Sequence, residues 1–179
     1  MRTSCRRTFA GIAAAAVLFI APVARAAVFN PNRILGDDEI RSADAMSYED
    51  VRVFLARKGP LADAADVDPV DGLLKNAAQL IDDAAKRYQV NPKYILALIQ
   101  KESSAVESGA LTQRQLDWAT GYALCDGCSR TAPLAQKYKG FARQVDAGAG
   151  YIDWYFKNAA SAGIPRRPGE TYVVSATKI

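Results

Sequence analysis

The sequence predicts one mainly α-helical domain with little β structure, preceded by an export signal. Three observations lead there. Apolar residues recur at helical spacing over most of the chain, alternating β-type runs are nearly absent, and residues 1–26 read as an address rather than as fold. The domain proper is expected over residues 27–179.

The signal is defined by charge and by its end. Arg2, Arg6 and Arg7 precede an apolar run from Gly11 to Val23, no acid occurs, and Ala24-Arg25-Ala26 is an A-x-A cleavage site. The run is too short and too alanine-rich to span a membrane. Arg6-Arg7-Thr8-Phe9 matches the R-R-x-F core of a twin-arginine signal, and it also fits an ordinary secretory n-region, so both export routes stay open. The protein is expected in the periplasm or the extracellular space, with no integral membrane segment after cleavage.

Cleavage changes the electrostatics. Four of the 23 basic residues leave with the signal, so 19 basic residues balance 19 acidic ones in what remains. The precursor pI near 9.0 therefore gives no case for nucleic-acid binding. There is no histidine. That excludes Ser-His-Asp and Cys-His catalysis and deprives zinc of its commonest nitrogen ligand. No metal or organic cofactor is expected, and the domain is expected to be a monomer.

The elements follow in order. Phe29-Asn30-Pro31-Asn32 is a turn leading to Ile34, Leu35 and Ile40. Ser47 with Asp50 approximates a capping box for a helix through Leu55 that stops near Gly59. Residues 60–68 read as an acidic loop. A helix is expected over 70–88, with Leu73, Leu74, Ala77, Leu80, Ile81, Ala84 and Tyr88 as its stripe. The next begins at Asn91, an N-cap, and Pro92, the first helical position. Thr112 caps a short helix through Trp118 and Ala119, and residues 121–133 form a loop. A last helix is expected over 135–160, burying Phe141, Val145, Gly148, Ile152, Tyr155 and Phe156. Its glycines permit close helix contacts. Thr171-Tyr172-Val173-Val174 reads as a short strand; the chain then stops without a cap or polar tail, as in a truncated gene product.

The Asn91 helix carries the main functional candidate. Its stripe runs Ile95, Leu98, Ile99, and the following i+7 position is Glu102. A carboxylate aimed where a core residue belongs is costly without a task, and the helix C-terminus disfavours its charge. Both effects favour a protonated carboxyl, as general-acid catalysis requires. Gln100 and Ser103 offer hydrogen bonds beside it. Trp118 and Tyr122 offer aromatic faces of the kind that stack on sugar rings, and Gln144 or Tyr151 would face the cleft from the last helix. Asp117 is the first choice for a second carboxylate, ahead of Glu107 and Asp126. An inverting hydrolase separates its carboxylates by about 6.5–9.5 Å and a retaining one by about 5–5.5 Å.

Cys125 and Cys128 are the only cysteines left once Cys5 departs with the signal. A redox C-x-x-C needs a βαβ setting, and a zinc site needs a second ligand pair; neither is visible. A local disulfide is the simplest reading for an exported chain. So short a loop contributes about 2 kcal/mol, and its main effect would be to stiffen the segment beside Tyr122.

Ala97-Leu98-Ile99-Gln100-Lys101-Glu102-Ser103-Ser104 resembles the A-L-I-x-x-E-S signature of the lysozyme-like superfamily, which includes lytic transglycosylases and goose-type lysozymes. Gly121-Tyr122 resembles the glycine-led segment that follows their catalytic helix. A wider resemblance is to secreted bacterial cell-wall-associated proteins, carried by Phe29-Asn30-Pro31, Met46-Ser47, Asn91-Pro92, Gln100-Lys101-Glu102, Leu116-Asp117-Trp118-Ala119-Thr120-Gly121-Tyr122 and Lys137-Tyr138-Lys139-Gly140-Phe141-Ala142-Arg143-Gln144. The G-x-x-G-L-M-Q and N-A-G elements of lytic transglycosylases are absent. The resemblance implies a lysozyme-like helical domain acting on peptidoglycan glycan strands, with Glu102 as acid and base at a β-1,4 glycosidic bond. A non-catalytic binding module of the same fold is the alternative, and a thiol–disulfide protein built on the cysteine pair is a third.

Overall fold

The computed structural model describes residues 35–159, so the signal, the 29–32 turn and the expected strand over 171–174 lie outside the described residues. Seven helices and one hairpin follow in order: α1 (Asp37–Ile40), α2 (Tyr48–Lys58), β1 (Ala65–Val67), β2 (Leu74–Asn76), α3 (Ala77–Tyr88), α4 (Pro92–Ser103), α5 (Gln113–Asp117), α6 (Pro133–Lys137) and α7 (Phe141–Asn158). Turns of 3-10 helix at Ala43–Ala45 and Pro60–Asp63 flank α2. The mainly helical expectation holds.

Local chemistry explains the main boundaries. Ser47 Oγ accepts the Asp50 N–H at 3.2 Å and Asp50 returns the bond to the Ser47 N–H at 2.9 Å, the reciprocal cap that starts α2. Helix α3 stops where Gln89 turns left-handed (φ 53°) and the N–H of buried Val90 reaches back to the Ala85 carbonyl at 3.0 Å. Asn91 then caps α4 by accepting the Lys93 N–H at 2.9 Å, with Pro92 in the first turn.

Two expectations are corrected. The helix expected over 70–88 begins only at Ala77, because Asn76 and Gln79 form a capping box (2.9 and 3.0 Å) at that point. Before it the chain makes an antiparallel hairpin pairing Ala65 with Asn76 and Val67 with Leu74. Its turn is Asp68-Pro69-Val70-Asp71-Gly72, in which the Asp68 carboxylate accepts the Val70 N–H at 2.8 Å. Leu73 and Leu74, expected on a buried stripe, are 60% and 72% exposed. The helix expected over 135–160 is broken into α6 and α7 at Gly140, whose φ of 110° suits glycine and ends the helical path. Tyr155 and Phe156 are only half-buried.

The core is organised around α3, which packs against α2, α4 and α7. It presents Ala77, Ala78, Leu80, Ile81, Ala84 and Ala85 inward. The alanines let α7 come close, and α7 meets them with Phe141, Val145 and Ala149. Val51 and Leu55 of α2, Leu61, and Ile95 and Ile99 of α4 complete the core. Each fully buried Leu, Ile or Val contributes about 1.5–3 kcal/mol.

An ionic cluster ties the hairpin turn to the helices. Lys75 Nζ lies 2.8 Å from Asp68, 2.5 Å from Asp71 and 2.6 Å from Asp83. Arg87 joins buried Asp68 at 3.2 Å and Asp146 of α7 at 2.5 Å. Burial opposes the charge on Asp68, but hydrogen bonds from Lys75, the Val70 N–H and Arg87 outweigh it and hold its carboxyl below the usual range. Its folded pKa is therefore lower than its unfolded value of about 3.9. The associated stability is present above that value and is lost as pH falls through the folded pKa. Urea unfolding from pH 7 down to pH 2 is expected to show this acid-side loss, and Asp68→Asn to flatten it.

Candidate functional site

Helix α4 delivers Glu102 and Ser103 at its last turn. Ser104 is left-handed (φ 57°), and buried Ala105 and Val106 turn the chain away. Thr112 and Gln115 cap α5 reciprocally, and Gln115 Nε2 also donates to the Ser103 carbonyl at 3.0 Å, so α5 is anchored to the end of α4. That bond sets Trp118 and the following segment beside Glu102. At Gly121 (φ 67°) the backbone runs against the carboxylate: a Cβ there would stand 3.1 Å from Glu102 Oε2. Only glycine suits both the conformation and the approach.

The segment after Trp118 is held from beneath by Gln144. This residue of α7 is fully buried (0% exposed). Its Oε1 accepts the N–H groups of Thr120 (3.3 Å) and Tyr122 (3.1 Å) and the Thr120 hydroxyl (3.2 Å). Its Nε2 donates to the carbonyls of Tyr122 (3.1 Å) and Tyr138 (2.8 Å). One amide thus spends its full hydrogen-bonding capacity on the backbone that shapes the site. Expected at the cleft, Gln144 instead supports it from the interior, because its α7 position shares the buried face of Phe141, Val145 and Gly148.

Two pockets meet on this surface. A polar one of about 440 Å³ is lined by Glu102, Ser103, Arg114, Trp118, Asp126 and Arg130, among others. An apolar one of about 500 Å³ is walled by Tyr94, Leu98, Tyr122, Leu134, Tyr138 and Tyr151. Gly121 and Leu124 line both, so the two adjoin. Tyr122 packs edge-on to Tyr138 (centroids 4.8 Å apart) and Tyr151 (6.0 Å), and Tyr151 stacks on Trp154 at 5.8 Å with an interplanar angle of 10°. Burial and the neighbouring Tyr138 push the Tyr122 phenol above its ordinary pKa.

The environment of Glu102 differs from the expectation. Its side chain is 34% exposed, and Lys101 Nζ lies 2.9 Å from Oε1. The buried face of α4 runs through Pro92, Ile95, Leu96 and Ile99, with Leu98 half-buried, and in the last turn Ser103 is half-buried while Glu102 is exposed. Ile95 and Ile99 of the expected stripe are buried, but the last turn leaves Glu102 at the edge of the pocket, without the dry surroundings of a shielded general acid.

The other expected residues divide. Ser103, Trp118, Tyr122 and Tyr151 line the two pockets. Gln100 lines neither; its Oε1 accepts the Glu107 N–H at 3.0 Å. Asp117 lines neither, and is held by Gln113 at 2.9 Å and Lys139 at 3.4 Å. Glu107 pairs with Lys58 at 2.6 Å. Asp126 is the carboxylate that shares the pocket with Glu102. Arg114 and Arg130 in the polar pocket and Trp154 against Tyr151 are site residues without an expectation from the sequence, and Tyr138 is marked there only within the Lys137–Gln144 motif. The Tyr151–Trp154 pair was readable as two aromatics at i, i+3 on the outer face of a helix. Cys125 and Cys128 form a disulfide, and Cys125 lies in the polar pocket's wall. Among the described residues, no group of His, Cys, Asp and Glu side chains could hold a metal ion, and no helix is long and apolar enough to cross a membrane.

Fold and site together define a small helical domain with adjoining polar and aromatic pockets. Residues 33–150 match the family described as the LasA N-terminal domain, well over half of the chain, and the protein belongs to that family. It is a family of secreted bacterial proteins. No curated protein and no solved structure matches the chain.

Gln144→Ala leaves four backbone groups without their partner, while the Thr120 hydroxyl keeps its bond to the residue-144 carbonyl (2.8 Å); each orphaned group costs about 1–3 kcal/mol before relaxation. Guanidinium unfolding of the variant is expected to show a stability loss above about 2 kcal/mol. Thiol titration of the native protein from the oxidised state is expected to find neither Cys125 nor Cys128 free.

Proposed function

We propose that this domain binds peptidoglycan glycan strands along the adjoining pockets. The observation that carries the reading is that Gly121 and Leu124 are shared by the walls of a tyrosine-lined trough and of a polar pocket holding Glu102. Sugar rings present flat C–H faces to aromatic walls and hydroxyl and amide groups to polar ones. A strand lying on Tyr122 and Tyr151 would thus carry its substituents past Glu102 and Ser103. The export signal, the membership of a secreted family and the resemblance of the Glu102 helix to cell-wall-acting proteins support the same substrate.

Cleavage of the β-1,4 bond is the second reading, favoured by Glu102 standing against Gly121 of that shared wall. In it Glu102 protonates the glycosidic oxygen and then takes the proton of the muramoyl 6-hydroxyl, whose oxygen closes onto the anomeric carbon to give an anhydro product. This lytic route needs one carboxylate. A hydrolytic route would draw on Asp126 as the second.

Mature protein incubated with insoluble peptidoglycan tests both readings. Retention is expected, and Tyr122→Ala with Tyr151→Ala is expected to weaken it at least about tenfold, or ~1.4 kcal/mol. Unchanged retention would overturn the binding site. Soluble muropeptides that vanish with Glu102→Gln would establish cleavage, whereas retention without product leaves binding alone.

A further inference from the structure

We infer that the polar pocket recognises a zwitterion, the free carboxylate and free ammonium of a peptidoglycan stem peptide. The inference rests on the glycan reading above and assigns the second half of the cleft. Arg41, Arg52 and Arg87 are each paired with an acid, on Asp153, Glu49, and Asp68 with Asp146. Four described arginines, Arg57, Arg114, Arg130 and Arg143, form no ion pair, and of these Arg114 and Arg130 line the pocket, although Glu102 and Asp126 line it too. Asp126 also has no described ion pair, and Glu102 engages only Lys101, its own neighbour, through Oε1. One pocket thus holds two guanidinium groups and two carboxylates that stand apart, with pairing capacity left over on both sides.

A ligand of single charge would satisfy one set and face the other as a like charge. A zwitterion satisfies both: its carboxylate on the planar donors of Arg114 and Arg130, its ammonium on Glu102 and Asp126. The sugar rings of the strand are neutral and cannot do this. Their peptide branches carry free carboxylates and an amine, and the pocket opens beside the aromatic trough that would hold the rings. Exposed ion pairs are individually weak, so several acting together in one pocket are needed for useful affinity.

Calorimetric titration of the mature protein with three probes tests this. The probes are a peptide-free glycan oligomer, the same glycan carrying stem peptides, and that peptidoglycan fragment with its amine acetylated and its carboxylates amidated. The peptide-bearing probe is expected to bind roughly tenfold more tightly than the bare glycan. The blocked probe is expected to fall back to the bare-glycan affinity. The double variant Arg114→Gln, Arg130→Gln is expected to bind the peptide-bearing probe no more tightly than it binds the bare glycan, with an unchanged far-UV circular dichroism spectrum reporting that it is folded. Equal binding of bare and peptide-bearing glycan would overturn the inference and leave the glycan reading standing. A gain that survives the double variant or the blocking would also overturn it. Failure of all three probes to bind would overturn both.

Discussion

The side-chain amide of Gln144 is the constraint on which the site depends. A buried amide is tolerated only when satisfied, and here it is satisfied by the backbone of Thr120, Tyr122 and Tyr138. Those three positions carry Gly121 and two of the tyrosines between them. The segment has little regular structure of its own to fix it. Its shape is therefore set by a residue on another element, and the cleft inherits its position from α7.

Helix α7 is itself placed by close packing. Alanines on α3 and Ala149 on α7 bring the two helices together, and Gly148 lets Thr120 sit against α7, where a Cβ would come within 2.9 Å of the Thr120 hydroxyl. The Asp68, Lys75, Arg87 and Asp146 cluster then ties the hairpin turn, α3 and α7 at the rim of that contact. Apolar packing gives the distance between helices, and the charged cluster resists sliding along it. The amide hub converts that fixed geometry into the placement of loop residues.

The parts of the structure legible in the sequence were those governed by neighbours in the chain. Asn91 with Pro92, Ser47 with Asp50 and Thr112 are local caps, and the structure places helices after all three. The hairpin was misread because Leu73 and Leu74 continue a helical stripe on paper, while the Asn76 cap and the Asp-Pro-Val-Asp-Gly turn outweigh that spacing. Glu102 shows how fine the margin is: Ile95 and Ile99 of its expected stripe are buried, yet one turn further on the side chain stands at the rim. Gln144 lay on the apolar face of its helix, but periodicity marks only that a position is buried. What this buried amide bonds to is decided mostly by Thr120 and Tyr122, more than twenty positions away and beyond any local pattern. Arg114 and Arg130 looked like ordinary surface charges, since their lack of partners exists only in three dimensions. The family match supplies the lineage, and the motif at Glu102 supplies only a likeness to lysozyme-like enzymes.

The two tryptophans of the chain occupy opposite surroundings. Trp118 is buried at the floor of the polar pocket, while Trp154 is 45% exposed and stacked on Tyr151. The molecule therefore carries two optical reporters of different colour: an interior indole emitting at shorter wavelength, and a lip indole emitting at longer wavelength and open to quenchers. Occupancy of the trough and loosening of the fold become separable signals in a single emission spectrum, without any label.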